Sequence, residues 1–367
     1  MMVIGTDPHK QTHTCSAVEA ATGRERASKT APARKRGLDE LLRWGRKAAS
    51  GERVWAIEDC RHVSGAWERF LVARGERVVR VAPKLMAGAR RGTRERGKSD
   101  PIDATAVARG AIREGIDALP SARLDDQALE IRLLVDHRED LVARRSDDQR
   151  RLRWHLHDLW PELEIPSGAL DRDLWLGRVA RKLARAHQDG RVRIARELVA
   201  TIRHLTRRAR ELERELAVLV AQRAPQLVAE RGCGTLTAAK LVGQTAGADR
   251  FATDAQYART AGVAPIPASS GRRDRWRLDR GGDRQLNCAL HRLAVNKGRH
   301  CPQTAAYLAR KQAEGKTRME ALRCLKRHLA RRVWRLLRDG RPLPLSTPHP
   351  KVISLTANAP SPMTCLT

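Results

Sequence analysis

The chain has 367 residues, with 72 Lys plus Arg against 42 Asp plus Glu, a formal charge of +30, and 41% hydrophobic residues. That length and apolar content suit two or three domains with real cores, and the charge excess points to a polyanionic partner. No apolar run reaches the ~18 residues of a membrane span and no signal-peptide pattern is visible, while aromatics at 3% argue against base-stacking sheets.

The first 118 residues read as an α/β domain. Met2 to Thr6 is a short apolar strand ended by Asp7. After the turn Pro8-His9-Lys10-Gln11, residues 12–19 alternate as a hairpin partner, and residues 24–30 supply a third strand. Leu38, Leu41, Leu42 and Trp44 give residues 37–49 a helical period. Residues 54–57 form a fourth strand with Glu58 at its end. A helix follows over residues 64–73, with Ser64 as its cap, then a fifth strand over residues 77–82. A last helix starts near Ser99-Asp100-Pro101, with Ser99 as N-cap and proline in the first turn. Three strands, then helix, strand, helix, strand, helix is the order of the RNase H-like nuclease fold.

Asp7, Glu58, Asp100 and Asp103 end strands or open a helix in an otherwise basic chain. Asp100 and Asp103 are three apart and share a helix face. Clustered carboxylates repel unless a cation holds them, and an oxygen-rich set suits Mg²⁺, which beside a phosphodiester supports cutting and joining of nucleic acid. Helix capping and surface ion pairing are the competing explanation. Asp59 is the rival to Glu58, but neighbouring strand residues point to opposite faces. His9 and Lys10 stand close enough in sequence to touch phosphate, although a lone histidine is more often structural.

Residues 119–225 read as helical. Leu198, Ile202, Leu205, Ala209, Leu212, Leu216 and Leu219 form an a/d heptad seam. A weaker seam runs through Ile131, Leu134, Leu141, Leu152 and Leu159. The two pair within one chain or between chains, and dimerisation is the preferred arrangement. Residues 226–340 form a third, mostly helical unit. Gly232-Cys233-Gly234 sits between two short helices, with Thr235 as a candidate cap, and looks like a helix-hairpin-helix that offers backbone N–H groups to phosphate. Residues 262–282 are loop-rich and carry Arg272, Arg273, Arg275, Arg277 and Arg280. Helices over residues 285–297 and 318–338 close the unit, and residues 341–367 read as a disordered tail. Tyr257 belongs to an apolar-periodic stretch and reads as core. The seven cysteines form no CxxC, so a zinc finger is unsupported and reduced, cytoplasmic thiols in a nucleoid-associated bacterial protein are expected.

Lys98-Ser99-Asp100-Pro101-Ile102-Asp103-Ala104, read with residues 3–10 and Ala56-Ile57-Glu58, resembles the DEDD transposases of the IS110 group of insertion sequences. The second half carries the matching Gly232-x-Gly234 hairpin, the Gly262 to Pro265 loop, Ser270-Gly271 and Gly282-Asp283-Arg284. The resemblance covers about residues 1 to 340. It implies a RuvC-like domain whose Asp7, Glu58, Asp100 and Asp103 bind Mg²⁺, and a C-terminal domain whose Ser270 is the nucleophile, with Ser269 beside it as the alternative. It also implies donor and target DNA as substrates, a noncoding bridge RNA as guide, and dimers or dimers of dimers in which the two domains share a composite site. Lys10, Lys98, Gly232, Gly234, Arg284 and the five loop arginines are the expected nucleic-acid contacts. Arg231-Gly232-Cys233 and Asp279-Arg280-Gly281 depart from the group's usual pattern at two backbone-binding loops.

A serine hydroxyl needs a base or a polarised phosphate to attack at neutral pH, and a serine-phosphate ester conserves bond energy for rejoining strands. The competing readings are a site-specific DNA invertase of the same group, a metal-dependent junction nuclease acting with water, and a non-enzymatic basic binding protein. A tyrosine nucleophile at Tyr257 or Tyr307 lacks the usual framing residues.

Overall fold

Residues 2–81 build a five-stranded sheet in the order β3-β2-β1-β4-β5, formed by β1 (Met2–Pro8), β2 (Thr12–Glu19), β3 (Glu25–Pro32), β4 (Arg53–Glu58) and β5 (Val78–Val81). The computed structural model describes residues 1–83, 85–86, 99–268, 276–277, 279 and 281–339. Pairing is antiparallel for β1/β2 and β2/β3, and parallel for β1/β4 and β4/β5. Helices α1 (Lys35–Ala48), α2 (Arg61–Val72) and α3 (Asp100–Glu114) complete this region. Helix α2 starts three residues earlier than its sequence suggests. Ser64 is buried inside it rather than capping it, because the chain already turns at Cys60.

Strand parity sorts the core into two layers. Ile4, Trp55 and Ile57 pack with Leu38, Leu41, Trp67 and Leu71 under α1 and α2. Val3, Val54, Ala56, Val79 and Val81 pack with Val107, Ala108 and Ala111 of α3 on the other face. Both faces of β1 are therefore covered, which explains its nearly continuous burial. Trp55 and Trp67 are wholly buried, and truncating either to alanine costs about 3–5 kcal/mol.

Gly5 sets how closely α3 lies on β1. A Cβ at this position would stand 2.0 Å from the Ala104 carbonyl oxygen and 2.6 Å from the Ala108 nitrogen. The helix thus rides directly on the strand backbone.

The second half of the chain is helical. Long helices α4 (Asp126–Leu159) and α6 (Gly190–Arg223) run antiparallel, with the short α5 (Asp173–Ala184) against their far end. Arg223 bonds Asp125 at one end (2.9 Å) and Arg191 bonds Asp158 at the other (3.3 Å). The heptad seam Leu198, Ile202, Leu205, Ala209, Leu212 and Leu216 is buried within the chain. Dimerisation through this seam, the arrangement preferred from sequence, is therefore corrected: α4 of the same chain covers it, because the connection through α5 turns the chain back and packs against both long helices. Ala128, Ile131, Val135, Leu216 and Val220, at the base of the hairpin, join one core with the helices that follow. These are α7 (Pro225–Val228), α8 (Thr235–Thr245), α9 (Asp254–Thr260), α10 (Arg284–His300), α11 (Pro302–Ala313) and α12 (Arg318–Asp339). Tyr257 is fully buried in this core. Two short strands, β6 (Ile266–Pro267) and β7 (Trp276–Arg277), pair antiparallel within the stretch read as loop. The tail expected over residues 341–367 lies outside the described residues.

Gly5→Ala should destabilise the sheet region by about 1–3 kcal/mol, because the clash falls on backbone atoms that cannot rotate away. Urea unfolding followed by tryptophan fluorescence, to which the buried Trp55 and Trp67 contribute among eight tryptophans, should show an earlier transition for the part of the signal from the sheet region. An unchanged midpoint would contradict the close-contact argument.

Candidate metal centre

Val3, Gly5 and Asp7 alternate onto the α3 face of β1. Asp7 is thereby aimed at the start of α3, whose first turn holds Asp100 and Asp103. The β1/β4 register ends at Thr6 opposite Ile57, so Glu58 follows beside Asp7. Glu58 shares the parity of Val54 and Ala56 and projects onto the same face. Asp7, Asp100 and Asp103 thus lie close together at the end of β1 and the first turn of α3, and the strand register puts Glu58 at the end of β4 on the same face.

His9 joins them. Its Nε2 lies 3.1 Å from Asp7 Oδ2 and 3.5 Å from Asp100 Oδ1. One ligand atom from each of Asp7, His9 and Asp100 falls within 4.8 Å of the others. Asp7 and Asp103 are each only 5% exposed, whereas Asp100 and His9 are exposed. Burial pushes the Asp7 carboxyl above its ordinary value of 3.8. His9 pulls it down, while Asp103 and Asp100 push it further up. The thiol of Cys60 is raised to about 11, first by burial and then by the negative charges of Glu58, Asp7 and Asp59. A buried carboxylate crowded by like charges and offering hard oxygen donors is the environment that a divalent cation stabilises.

Sequence reasoning passed over His9 as a ligand candidate. The signal was its position two residues beyond Asp7, on the turn that brings it back over the same face.

The other sequence-derived contacts are dispersed. Lys98, Ser269, Ser270, Gly271, Arg272, Arg273, Arg275 and Arg280 lie outside the described residues. Lys10 is exposed in the β1–β2 turn, Arg277 is exposed on β7, and Arg284 is exposed at the first position of α10. Gly234 is the N-cap of α8 and Thr235 lies inside that helix, which corrects the expected cap. In the Gly232 turn the Cys233 N–H donates to the Glu230 carbonyl (2.9 Å). The Arg231 and Gly232 carbonyls accept from Lys297 Nζ (3.2 Å) and Asn296 Nδ2 (3.5 Å). The Cys233 N–H, one of the groups expected to face phosphate, is thus already engaged.

Gly262 and Gly282 close the segment that contains Ser270. A Cβ on Gly282 would stand 2.1 Å from the Gly262 nitrogen, and the Asp283 N–H donates to the Thr260 carbonyl (2.6 Å). The chain leaves and returns at one point. A cleft of about 520 Å³ lies between the two halves of the molecule, lined by Asp59, Arg80 and Glu114 on one side and by Pro265, Pro267 and Asp283 on the other. The residue after Glu58 and the root of the Ser270 segment therefore face a common space.

Comparison with known proteins identifies the chain, an α/β sheet region followed by a helical region, as a DNA-processing transposase. A DEDD-type family profile described as "Transposase" matches residues 4–161, and one described as "Transposase IS116/IS110/IS902 family" matches residues 226–309. The chain belongs to this family of insertion-sequence transposases. It is 28% identical over 345 residues to the uncharacterized 44.8 kDa protein of insertion element IS116 from Streptomyces clavuligerus, covering 81% of this chain and 85% of that one. It is 26% identical over 380 residues to the uncharacterized 42 kDa protein of insertion element IS900 from Mycobacterium paratuberculosis, covering 91% and 95%. Among the described residues, no helix is long and apolar enough to cross a membrane.

The raised pKa of Asp7 has a signed consequence. The folded state holds this proton more tightly than the unfolded chain, so its contribution to stability is full below about pH 3.8 and is lost as pH rises through the folded value. At neutral pH in a chelator, Asp7→Asn should raise the melting temperature, and the gap should close below pH 3.8. A lower melting temperature for the variant at pH 7 would count against the crowded-carboxylate description.

Proposed function

We propose that the chain cuts and rejoins donor and target DNA for an insertion sequence, with Asp7, Glu58, Asp100 and Asp103 holding Mg²⁺ and Ser270 as nucleophile. The observation that supports this is the crowding of Asp100 and Asp103 around a buried Asp7, with Glu58 at the end of the neighbouring strand on the same face. The strand order β3-β2-β1-β4-β5 supports an RNase H-like, RuvC-like reading of the first region. The acids suit a hard divalent ion, which when bound supplies a Lewis acid for a phosphodiester. His9 orients two of them by hydrogen bonding to Asp7 and pairing with Asp100.

In this reading the Ser270 hydroxyl loses its proton and attacks phosphorus. The Oγ–P bond forms, the P–O bond to the departing sugar oxygen breaks, and that oxygen takes up a proton. The ester preserves the energy of the broken bond, so the reverse attack rejoins strands without ATP. Arg272, Arg273, Arg275, Arg277 and Arg280 flank the serine in sequence and supply positive charge toward the phosphate. Lys10, Lys98, Gly232, Gly234 and Arg284 are assigned to nucleic-acid backbone.

Guidance by a noncoding bridge RNA, assembly into dimers or dimers of dimers, and residence at the nucleoid are further parts of this proposal. They rest on the family, with the +30 charge in support. Assembly must use surfaces other than the heptad seam, which is already filled. An invertase of the same family shares this chemistry and differs in its products.

Asp7→Ala and Ser270→Ala should each reduce strand cleavage by about 1,000-fold or more while DNA binding persists. Denaturing gels should show a covalent protein–DNA species only with the serine present. Cleavage that survives Ser270→Ala but not Asp7→Ala would instead establish the junction-nuclease reading. Sequencing RNA that co-purifies from the native host tests the guide, and a discrete transcript is the expected result.

A further inference from the structure

The β6–β7 hairpin also walls a second cleft, of about 790 Å³, whose other sides come from α11, α12 and the turn between them. Its lining includes Trp276, Arg277, Tyr307, Lys316, Arg323 and Lys326. The carboxylates around it are already engaged. Glu314 accepts from Lys311 (2.7 Å), and Glu320 accepts from the N–H and hydroxyl of Thr317 (both 2.9 Å). Among the described residues, Arg277, Lys316 and Lys326 form no direct ion pair with a carboxylate, and with Glu314 and Glu320 the only acids against six Lys and Arg in the lining, the cleft carries a positive excess.

Lys326 is the most telling of these. It is 6% exposed, and its Nζ donates to the neutral Asn287 Oδ1 at 2.8 Å. Asn287 in turn donates from Nδ2 to the Ala261 and Gly262 carbonyls, each at 2.9 Å. The ammonium is thereby pinned beneath the turn that leads to the Ser270 segment. Burial, and then Arg323, lower its pKa from the ordinary 10.5. A buried cation met only by a neutral amide is stabilised when an anion arrives. The Tyr307 hydroxyl points the same way, since it is buried with no hydrogen-bond partner among the described residues. Trp276 is 59% exposed at the cleft, an indole left in water on a strand six positions past Ser270.

We propose that this cleft receives one unstacked nucleotide of a single strand, its base against Trp276 and its phosphate among Arg277, Lys316 and Lys326. The volume falls within the ~300–1,000 Å³ of small-ligand clefts and is too small for a duplex. An aromatic face beside cations is the chemistry that binds an unpaired base and its backbone. The nucleotide comes from a DNA strand at the cleavage point or from an RNA guide. The proposal rests on the strand-transfer reading only for that source.

The test uses the full chain in a chelator, where no cleavage occurs. Pentamers of single-stranded DNA and of RNA carry 2-aminopurine at the centre, and a blunt duplex serves as control. Binding to the wild type should quench the probe in at least one pentamer. Trp276→Ala should abolish the quenching and weaken that pentamer roughly ten-fold, leaving duplex affinity within about two-fold, while Trp276→Phe should retain most of both. Lys316→Gln, at another cleft residue, should reduce the salt slope by about one for the pentamer alone. Quenching of the DNA pentamer identifies a substrate strand, and quenching of the RNA pentamer alone identifies a guide. An unquenched probe in the wild type, or equal losses for pentamer and duplex, would overturn the proposal. None of these readouts requires strand cutting, so failure of the cleavage assay with intact quenching would sink the strand-transfer reading and leave this site standing.

Discussion

The sheet region depends on one contact: the backbone of α3 resting on the backbone of β1 at Gly5. Any side chain there would lift the helix off the strand. Because the contact is close, the first turn of α3 comes down over the end of β1 and covers Asp7. The desolvation that raises the Asp7 pKa, and the repulsion from Asp103 and Asp100, both follow from that approach. The acidic centre is a product of packing as much as of composition. The same stretch of strand, buried on both faces, joins the two apolar layers that support it.

Much of this was legible in the sequence because strand parity and helix spacing are local rules. Asp7 and Glu58 ending strands, and Asp100 and Asp103 three apart at a helix start, could be placed on one side without knowing the tertiary fold. The heptad seam and its weaker partner seam over residues 131–159 were equally plain. Spacing specifies that Leu198, Ile202 and Leu216 share a face, and says nothing about whether the covering helix belongs to the same chain. The segment between α4 and α6, which turns the chain back through α5, decided for the same chain. Ser64 misled because its capping preference is worth less than the burial of the helix around it. His9 was underrated because one of its partners, Asp100, lies on α3 far along the chain, where no local periodicity links them. The strands β6 and β7 are two residues each, too short to leave an alternating signature.

Two polarities coexist in the chain. Its surface is strongly basic, yet a small group of acids with a buried Asp7 stands where β1 and α3 meet. A basic exterior gathers a polyanion, and an acidic interior admits the cation that the polyanion's chemistry calls for. The cleft between Asp59 and Pro267 is where the two halves meet without filling the space between them. The Gly262–Gly282 contact brings these two glycines together beside that border.

The hairpin of α4 and α6 has a mechanical meaning. Val135 is the last α4 residue packed in the shared core, and Leu159 ends the helix. The intervening shaft is about 36 Å long at 1.5 Å per residue. One turn of duplex DNA has that same span, ~34–36 Å. With its seam zipped and its far end braced by α5, the shaft cannot fold or shorten readily. The hairpin thus holds its tip at a set distance from the core at its base.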